Sequence, residues 1–332
     1  AHNPYKGLRA FQETDANDFF GREALTNRLL ERLSTQETQF LAIVGPSGSG
    51  KSSVARAGLI PRLRQGAITQ SERWFVAEML PSKNPLHDLA TALLGVAVTS
   101  PDNLLEQLRA AEQGLHKIID QILPDDDTEM VLLIDQFEEV FTLVGNLSDR
   151  VHFLNSITNA VTAPYSRLWV IITLRADFYD RPLLYPRFSE LVRQHTEVVV
   201  PLTIEELEQV IISPAEQVGV QVDAGLAAAI IADVNEQPGA LPLLQYTLTE
   251  CFEQREQNIL TLEDYHKTGG VLGALAKRAE DIFNEFNASQ KRFTRQLFLR
   301  LITLGEGTED TRRRVERGEL LSTEIDSDAL QH

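Results

Sequence analysis

The sequence of 332 residues predicts an α/β fold in which a five-stranded parallel sheet lies between two layers of helices. Five short apolar runs alternate with helical patterns up to residue 202, as expected of parallel strands joined by crossover helices. A glycine-rich segment follows the first run, and a carboxylate ends the third. After residue 202 the pattern is helical, so we expect further helical domains there.

The first apolar run, residues 40–44, leads into a segment of the form G-x-x-x-x-G-K-S. Its glycines let backbone N–H groups surround a β-phosphate, which side chains would block. Lys51 is expected to reach the β- and γ-phosphates, and Ser52 to ligate Mg²⁺. A chance turn is the alternative, but a strand before the loop and a helix after it are the context this motif needs. We therefore predict a three-layer P-loop NTPase domain that binds ATP or ADP with Mg²⁺ through Gly45, Pro46, Ser47, Gly48, Ser49, Gly50, Lys51, Ser52 and Ser53.

The third apolar run, residues 130–134, ends in Asp135. A carboxylate at the end of a parallel strand lies beside the phosphate loop, where it can hold Mg²⁺ through water. The alternative is a buried strand that happens to end in aspartate. The phosphate loop upstream favours the metal role, so Ser52 and Asp135 are the predicted metal ligands.

Two glutamates, Glu138 and Glu139, follow this aspartate. The apolar residues around them have helical spacing and are expected to face the core, which leaves both carboxylates at the mouth of the site. One of them could polarise the attacking water. Glu139 is slightly preferred, because it shares a face with Asp135 if a helix starts at once. Two solvated helix carboxylates are the alternative.

The fourth run, residues 168–173, is followed by Arg175. A cation there can contact the γ-phosphate, since ligands bind at the carboxyl edge of a parallel sheet. The alternative is an ion pair with Asp177 or Asp180. A fifth run, residues 197–200, completes the sheet, and no N-K-x-D-like segment follows the fourth strand, so we expect ATP rather than GTP.

The predicted domains are an N-terminal arm (1–17), a P-loop core (18–202), a helical lid (203–285) and a partial winged-helix domain (286–332). At the start of the core, Phe20, Gly21 and Arg22 form a turn that could pack on the nucleotide base or could simply begin a helix. In the lid, the turn at Pro242 could also touch the base. The alternative is that Gly239 ends one helix and Pro242 begins the next.

The formal charge of −17 and the pI near 4.9 argue against broad binding to nucleic acid or to anionic membranes. The single cysteine, Cys251, excludes an intrachain disulfide framework. No apolar run is long enough to span a membrane, and no signal-peptide pattern is present, so we expect a cytoplasmic location. The chain starts without methionine and stops abruptly, which suggests an excerpt of a longer protein.

In order, the chain carries F-G-R-E, G-P-S-G-S-G-K-S, L-L-I-D-Q-F-E-E, I-I-T-L-R-A-D and P-G-A-L-P-L. This series resembles the STAND class of P-loop NTPases, which are related to AAA+, NACHT and NB-ARC ATPases. D-Q-F-E-E, together with N-P-Y-K-G-L and T-R-R-R, is similar to the bacterial novel-STAND group that is often fused to WD repeats. The resemblance covers nearly the whole chain.

The resemblance implies a role for each matching residue. Residues 45–53 would be the phosphate loop, Asp135 the Mg²⁺ carboxylate, and Lys51 and Arg175 catalytic cations, with Arg175 as the sensor. Glu138 or Glu139 would be the catalytic carboxylate. Pro242 would lie against adenine, and Arg22 and its neighbours would border the base. The sensor strand would lie between the strands that carry the phosphate loop and Asp135.

The family also implies an ATP/ADP-dependent signal-transduction switch: a closed ADP form opens on ATP binding and self-associates. Sensor and effector domains, including WD repeats, would lie outside this segment, and bacterial signalling or phage defence would be the setting. Gln136 stands where many AAA+ proteins have a catalytic glutamate, which suits slow hydrolysis. The alternatives are an AAA+-like ATPase that loads or moves on DNA through the winged helix, and a module that binds nucleotide only structurally.

Overall fold

The computed structural model describes residues 2–35, 38–99, 101–124, 126–234, 239–303 and 311–312. The chain divides into two compact units, Ala1–Val271 and Leu272–His332. The first unit holds the predicted sheet and every residue of the candidate site.

The sheet has five parallel strands in the order β2-β3-β4-β1-β5. This order confirms that the strand before Arg175 lies between the strands that lead to the phosphate loop and to Asp135. In register, Gly45 is opposite Arg175, and Ile134 is opposite Ile172, so three site-bearing segments leave the same edge of the sheet. The strands are β1 (Phe40–Gly45), β2 (Phe75–Met79), β3 (Met130–Ile134), β4 (Leu168–Arg175) and β5 (Thr196–Val198).

Helices cover both faces of this sheet. The phosphate loop leads into a continuous helical stretch that consists of α2, a π-helical segment (Val54–Leu59) and α3. We call these three segments together the P-loop helix. The helices of this part are α1 (Glu23–Thr35), α2 (Lys51–Ser53), α3 (Ile60–Arg64), α4 (Pro85–Leu94), α5 (Leu104–Ala110), α6 (Gly114–Ile122), α7 (Glu139–Thr142), α8 (Leu147–Val161) and α9 (Pro186–Gln194).

Alternate residues of β1 belong to two different cores. Phe40 and Ala42 pack with α4, α5, α6, α8 and α9, whereas Leu41 and Ile43 pack with α1 and the P-loop helix. Because both faces are covered, the strand is apolar throughout rather than alternating. The three-layer α/β architecture is therefore as predicted.

A third core lies among the helices that follow the sheet, and Tyr5 of the N-terminal arm belongs to it. The first of these helices begins with a capping box: the Thr203 hydroxyl accepts the Glu206 N–H, and the Glu206 carboxylate accepts the Thr203 N–H. The elements are α10 (Ile204–Gln217), β6 (Gln221–Val222), α11 (Ala224–Val234), α12 (Leu241–Gln254), β7 (Ile259–Leu260) and α13 (Leu262–Thr268), with β6 and β7 paired in parallel.

In the part of the second unit that the structure describes, there are two helices and a short antiparallel pair of strands. These are α14 (Gly270–Glu285), which starts just before the unit boundary, α15 (Ala288–Leu301), β8 (Ile302–Thr303) and β9 (Thr311–Arg312). Most of the segment expected to form a winged helix lies outside the described residues, so that assignment and the domain boundaries remain predictions. Among the described helices, none is long and apolar enough to cross a membrane.

Candidate nucleotide site

The phosphate loop turns sharply between β1 and the P-loop helix. Gly48 and Gly50 have φ values of +72° and +89°, a conformation that residues with a Cβ rarely adopt. The hydroxyl of Ser49 is buried and has no hydrogen-bond partner among the described residues. A phosphate oxygen would satisfy this orphaned group, so the loop fits a nucleotide phosphate.

Lys51 lies at the base of this loop, and its side chain is buried. Its ammonium donates to the carbonyls of Gly45, at 2.9 Å, and Pro46, at 2.7 Å. Burial lowers the pKa of Lys51, and the negative charge of Glu138 acts in the opposite direction. The cation is therefore held beside the loop that would cradle the phosphates.

Asp135 and Ser52 are in direct contact, as predicted from their motifs. Asp135 Oδ1 accepts from the Ser52 hydroxyl at 2.7 Å, and the carboxylate is 1 % exposed. In the part of the chain that the structure describes, no group of three or more His, Cys, Asp or Glu residues could hold a metal ion. Mg²⁺ prefers oxygen ligands and usually takes only one or two of them from the protein, with phosphates and water supplying the rest. The Ser52 hydroxyl and the Asp135 carboxylate therefore fit this ion.

Thr173 of β4 was not predicted, yet it organises the turn after Asp135. Its hydroxyl donates to Asp135 Oδ1 at 2.5 Å and accepts the Gln136 N–H, while its carbonyl accepts the Phe137 N–H. Gln136 has a φ of +53°, an unfavourable value for a side-chain-bearing residue, which these bonds offset. The sequence signal that could have identified Thr173 was its hydroxyl at the end of the apolar run of β4.

Glu138 and Glu139 are both buried, so they are not the solvated pair considered as the alternative. Glu138 accepts the backbone N–H of Arg175 at 3.3 Å, and burial raises its pKa. Glu139 accepts the hydroxyl of Thr142, in its own helix, at 2.9 Å. The geometry thus favours Glu138 as the carboxylate that faces the phosphate loop, whereas the sequence pattern slightly favoured Glu139.

Arg175 ends β4 beside the loop, but its guanidinium pairs with Asp177 at 2.6 and 3.0 Å. This is the ion pair considered as the alternative to a sensor. The Arg175 side chain is 39 % exposed, and exposed pairs contribute little to stability, about 0–1 kcal/mol. The pair could therefore exchange for a γ-phosphate at small cost, and the sensor role remains a prediction.

A cavity of about 200 Å³ adjoins the phosphate loop. It is lined by residues 7–11 of the arm, by the loop and by residues of the predicted lid that include Val210, Pro214 and Gln245. The arm also reaches the P-loop helix, because the Phe11 N–H donates to the Ser53 hydroxyl. The sequence did not predict that the arm or these lid residues would line a cavity. The cavity brings together the predicted residues Phe20, Arg22, Gly48, Gly50, Lys51, Ser52, Ser53 and Pro242, but not Gly21, Gly45, Pro46, Ser47 or Ser49.

Arg22 ties the first turn of the core to the phosphate loop. Its side chain is buried, and its guanidinium donates to the carbonyls of Ser49, at 3.1 Å, and Val200, at 3.0 Å. Arg22 therefore positions the loop as well as bordering the cavity.

Gly239, which precedes α12, lies directly on the phosphate loop. A Cβ added to Gly48 would lie 2.7 Å from the Gly239 carbonyl oxygen, and one added to Gly239 would lie 3.0 Å from the Ser47 carbonyl oxygen. Such distances leave no room for side chains at the contact. The backbone of the Gly239 turn is therefore in contact with the backbone that would hold the phosphates.

A third glycine contact supplies a stability test. Gly21 has a φ of +77°, and a Cβ there would lie 2.5 Å from the Glu206 carbonyl oxygen of α10. Gly21→Ala should lower the free energy of unfolding by about 2–4 kcal/mol, from backbone strain plus overpacking. The control is Gly219→Ala: its φ is +78° with nothing within 4 Å, so it should cost only the strain, about 1–2 kcal/mol. Denaturant unfolding measures both, and equal losses would contradict a tight contact at Gly21.

The family model described as novel STAND NTPase 1 matches residues 4–332 of this chain. No curated protein matches it. Among similar solved structures, Cdc6p from Pyrobaculum aerophilum is 14% identical, with 84% of this chain and 74% of that chain covered and a TM-score of 0.52. The Aeropyrum pernix ORC2 protein in its ADP form is 14% identical, with 90% and 76% covered and a TM-score of 0.52.

A chain of Drosophila ORC bound to DNA is 16% identical, with 82% of this chain covered and a TM-score of 0.48. This chain spans 64% of that ORC chain's length. At such identities, the likeness to Cdc6p and ORC2 shows a shared fold and nothing about activity.

Proposed function

This chain belongs to the novel STAND NTPase 1 family, and on that premise we propose that it is an ATP/ADP-dependent switch whose lid responds to the bound nucleotide. The observation that carries the proposal is the contact between the Gly239 turn of the lid and Gly48 of the phosphate loop. ATP and ADP differ in their phosphates, which would bind next to this contact. The bound nucleotide can therefore favour one lid position over another.

In the proposed complex, the phosphate loop and Lys51 hold the phosphates, and the base lies in the cavity between arm and lid. Ser52 and Asp135 would hold Mg²⁺, which supplies positive charge to the phosphate oxygens when bound. The arm contributes to the same cavity, and Lys6 of the arm donates its N–H to Gln245 of the lid. Arm, loop and lid would thus enclose a single nucleotide.

Glu138 is proposed to accept a proton from the attacking water or to orient it. It is buried next to Lys51 and Arg175, and its pKa is raised by burial, as is common for a catalytic carboxyl group. Gln136 has no carboxylate to assist, so we propose slow hydrolysis that resets the switch.

The γ-phosphate would distinguish the two states. It adds contacts to Lys51 and offers Arg175 a partner stronger than the exposed Asp177. Only contacts present in one state can shift a population between two conformations. We propose that this difference opens the lid and allows self-association, in a bacterial signalling or defence protein whose sensor and effector domains would lie outside this segment.

An AAA+-like ATPase that acts on DNA is the second candidate, because the fold is shared with Cdc6p and ORC2. The net charge of −17 counts against broad contact with DNA phosphates. Double-stranded DNA that raised the ATPase rate severalfold at physiological salt would favour this candidate over the switch.

The nucleotide content of the purified protein tests the switch. We expect near-stoichiometric ADP, because residues of both arm and lid line the cavity and should slow the release of a bound nucleotide. Acid extraction followed by chromatography measures it, with an exposed-lysine variant, Lys117→Ala, as a control that should also retain ADP. Protein that is empty and exchanges nucleotide freely would contradict a closed ADP state. Nucleotide binding without turnover, and without any response to exchanging ADP for ATP, would indicate a purely structural ligand.

A further inference from the structure

Arg56 lies in the π-helical segment of the P-loop helix and belongs to no motif. Its Nη1 is 3.1 Å from Asp135 Oδ2, and its Nε is 2.9 Å from Glu78 Oε2, at the end of β2. The Arg56 side chain is only 13% exposed. A partly buried guanidinium therefore bridges the predicted Mg²⁺ carboxylate and a second carboxylate.

Both oxygens of Asp135 are engaged. Oδ1 accepts from the hydroxyls of Ser52 and Thr173, and Oδ2 pairs with Arg56. A carboxylate that is 1% exposed needs a compensating charge, since an unpaired buried charge is strongly destabilising. In the described part of the chain, Arg56 is the cation paired with it, while the Lys51 ammonium bonds to loop carbonyls.

We propose that Arg56 is an internal cation that compensates Asp135 and so reduces the dependence of nucleotide binding on Mg²⁺. The inference rests on the proposed function and adds a regulatory property to the same site. Arg56 acts through Asp135, which makes it a positioning residue. With the carboxylate already paired, diphosphate binding loses little when Mg²⁺ is removed.

Glu78 shares the guanidinium and sets how strongly it acts. Its side chain is 36% exposed, so Glu78→Gln should be tolerated. Removing this carboxylate leaves Arg56 to Asp135 alone. ADP binding by Glu78→Gln should therefore depend on Mg²⁺ no more than it does in the unaltered protein, whereas loss of Arg56 should increase that dependence.

The experiment compares the Kd of ADP in EDTA with its Kd in millimolar Mg²⁺, for nucleotide-stripped protein. For the unaltered protein, we expect the Kd in EDTA to be at most about three times the Kd in Mg²⁺. For Arg56→Gln it should be about ten times larger or more, because Asp135 is left uncompensated beside the diphosphate. Arg56→Lys keeps the positive charge, so its ratio of the two Kd values should be close to that of the unaltered protein. The control is Arg64→Gln. Arg64 lies on the P-loop helix, as Arg56 does, but its guanidinium pairs with Glu13 of the arm, so this variant should behave like the unaltered protein.

A nucleotide-free measurement makes the outcome independent of ADP binding. Mn²⁺ should raise the Tm of Arg56→Gln by several degrees more than that of the unaltered protein or of Arg64→Gln, because the freed carboxylate can take the ion. An Arg56→Gln protein with an unchanged ADP ratio and no added Mn²⁺ response would overturn the inference. If Arg56→Gln does not fold, a Glu78→Gln ratio well above that of the unaltered protein would overturn it. Failure of the unaltered protein to bind ADP would instead refute the proposed function, and the Mn²⁺ comparison would still decide the role of Arg56.

Discussion

Lys51→Ala should abolish nucleotide binding at micromolar concentrations. The ammonium would make charge-assisted hydrogen bonds to two phosphates, each contributing about 1.5–3 kcal/mol, so the Kd should rise by roughly 10²–10⁴-fold. Isothermal titration with ATP and ADP measures the loss.

The fold of this variant should survive, because the described hydrogen bonds of the Lys51 ammonium are to loop carbonyls rather than to a core group. Circular dichroism and the Tm check this, and Lys117→Ala on the surface of α6 controls for the loss of a lysine. High-affinity ATP binding by a folded Lys51→Ala protein would contradict the assignment of residues 45–53 as the phosphate loop.

Glu138→Gln should retain bound ATP while its turnover falls by about 10²-fold or more, the usual contribution of a positioned acid or base. Glu139→Gln, its neighbour and matched control, should keep most of the turnover, because Glu139 bonds to Thr142. Single-turnover hydrolysis measures both. A Glu139→Gln protein that loses turnover while Glu138→Gln keeps it would reverse the assignment, and normal hydrolysis in the double variant would remove both residues from the mechanism.

The pH dependence of the same residue has a definite sign. Burial raises the folded-state pKa of Glu138 above that of a glutamate in the unfolded chain. The protonated form is favoured in the fold, so this contribution to stability is present at acidic pH and is lost as pH rises through the folded pKa. Turnover needs the ionised form and should rise through the same range. Both trends should disappear in Glu138→Gln.

The phosphate loop and Asp135 could be predicted because their signals are local. Glycines that allow a left-handed backbone, a lysine and a serine after them, and an apolar run before them specify strand, turn and helix without distant contacts. The sheet order followed from the family resemblance, and β4 does lie between β1 and β3.

Other parts of the site depend on contacts between distant segments. The pairing of Arg56 with Asp135 joins the P-loop helix to β3, and the Thr173 hydroxyl reaches Asp135 from β4. Hydrophobic periodicity tells which face of an element is buried, but it does not tell which polar group the neighbouring element presents. The arm's part in the cavity was missed for the same reason.

The sequence by itself predicted the nucleotide site of this protein: a phosphate loop with its lysine and serine, and a carboxylate at the end of a buried strand. Only the tertiary structure decided which glutamate accepts the Arg175 N–H, that Arg56 pairs with Asp135, and that Gly239 lies on Gly48. The physical reason is that backbone patterns place residues at the edge of the sheet, whereas packing determines which side chains meet there.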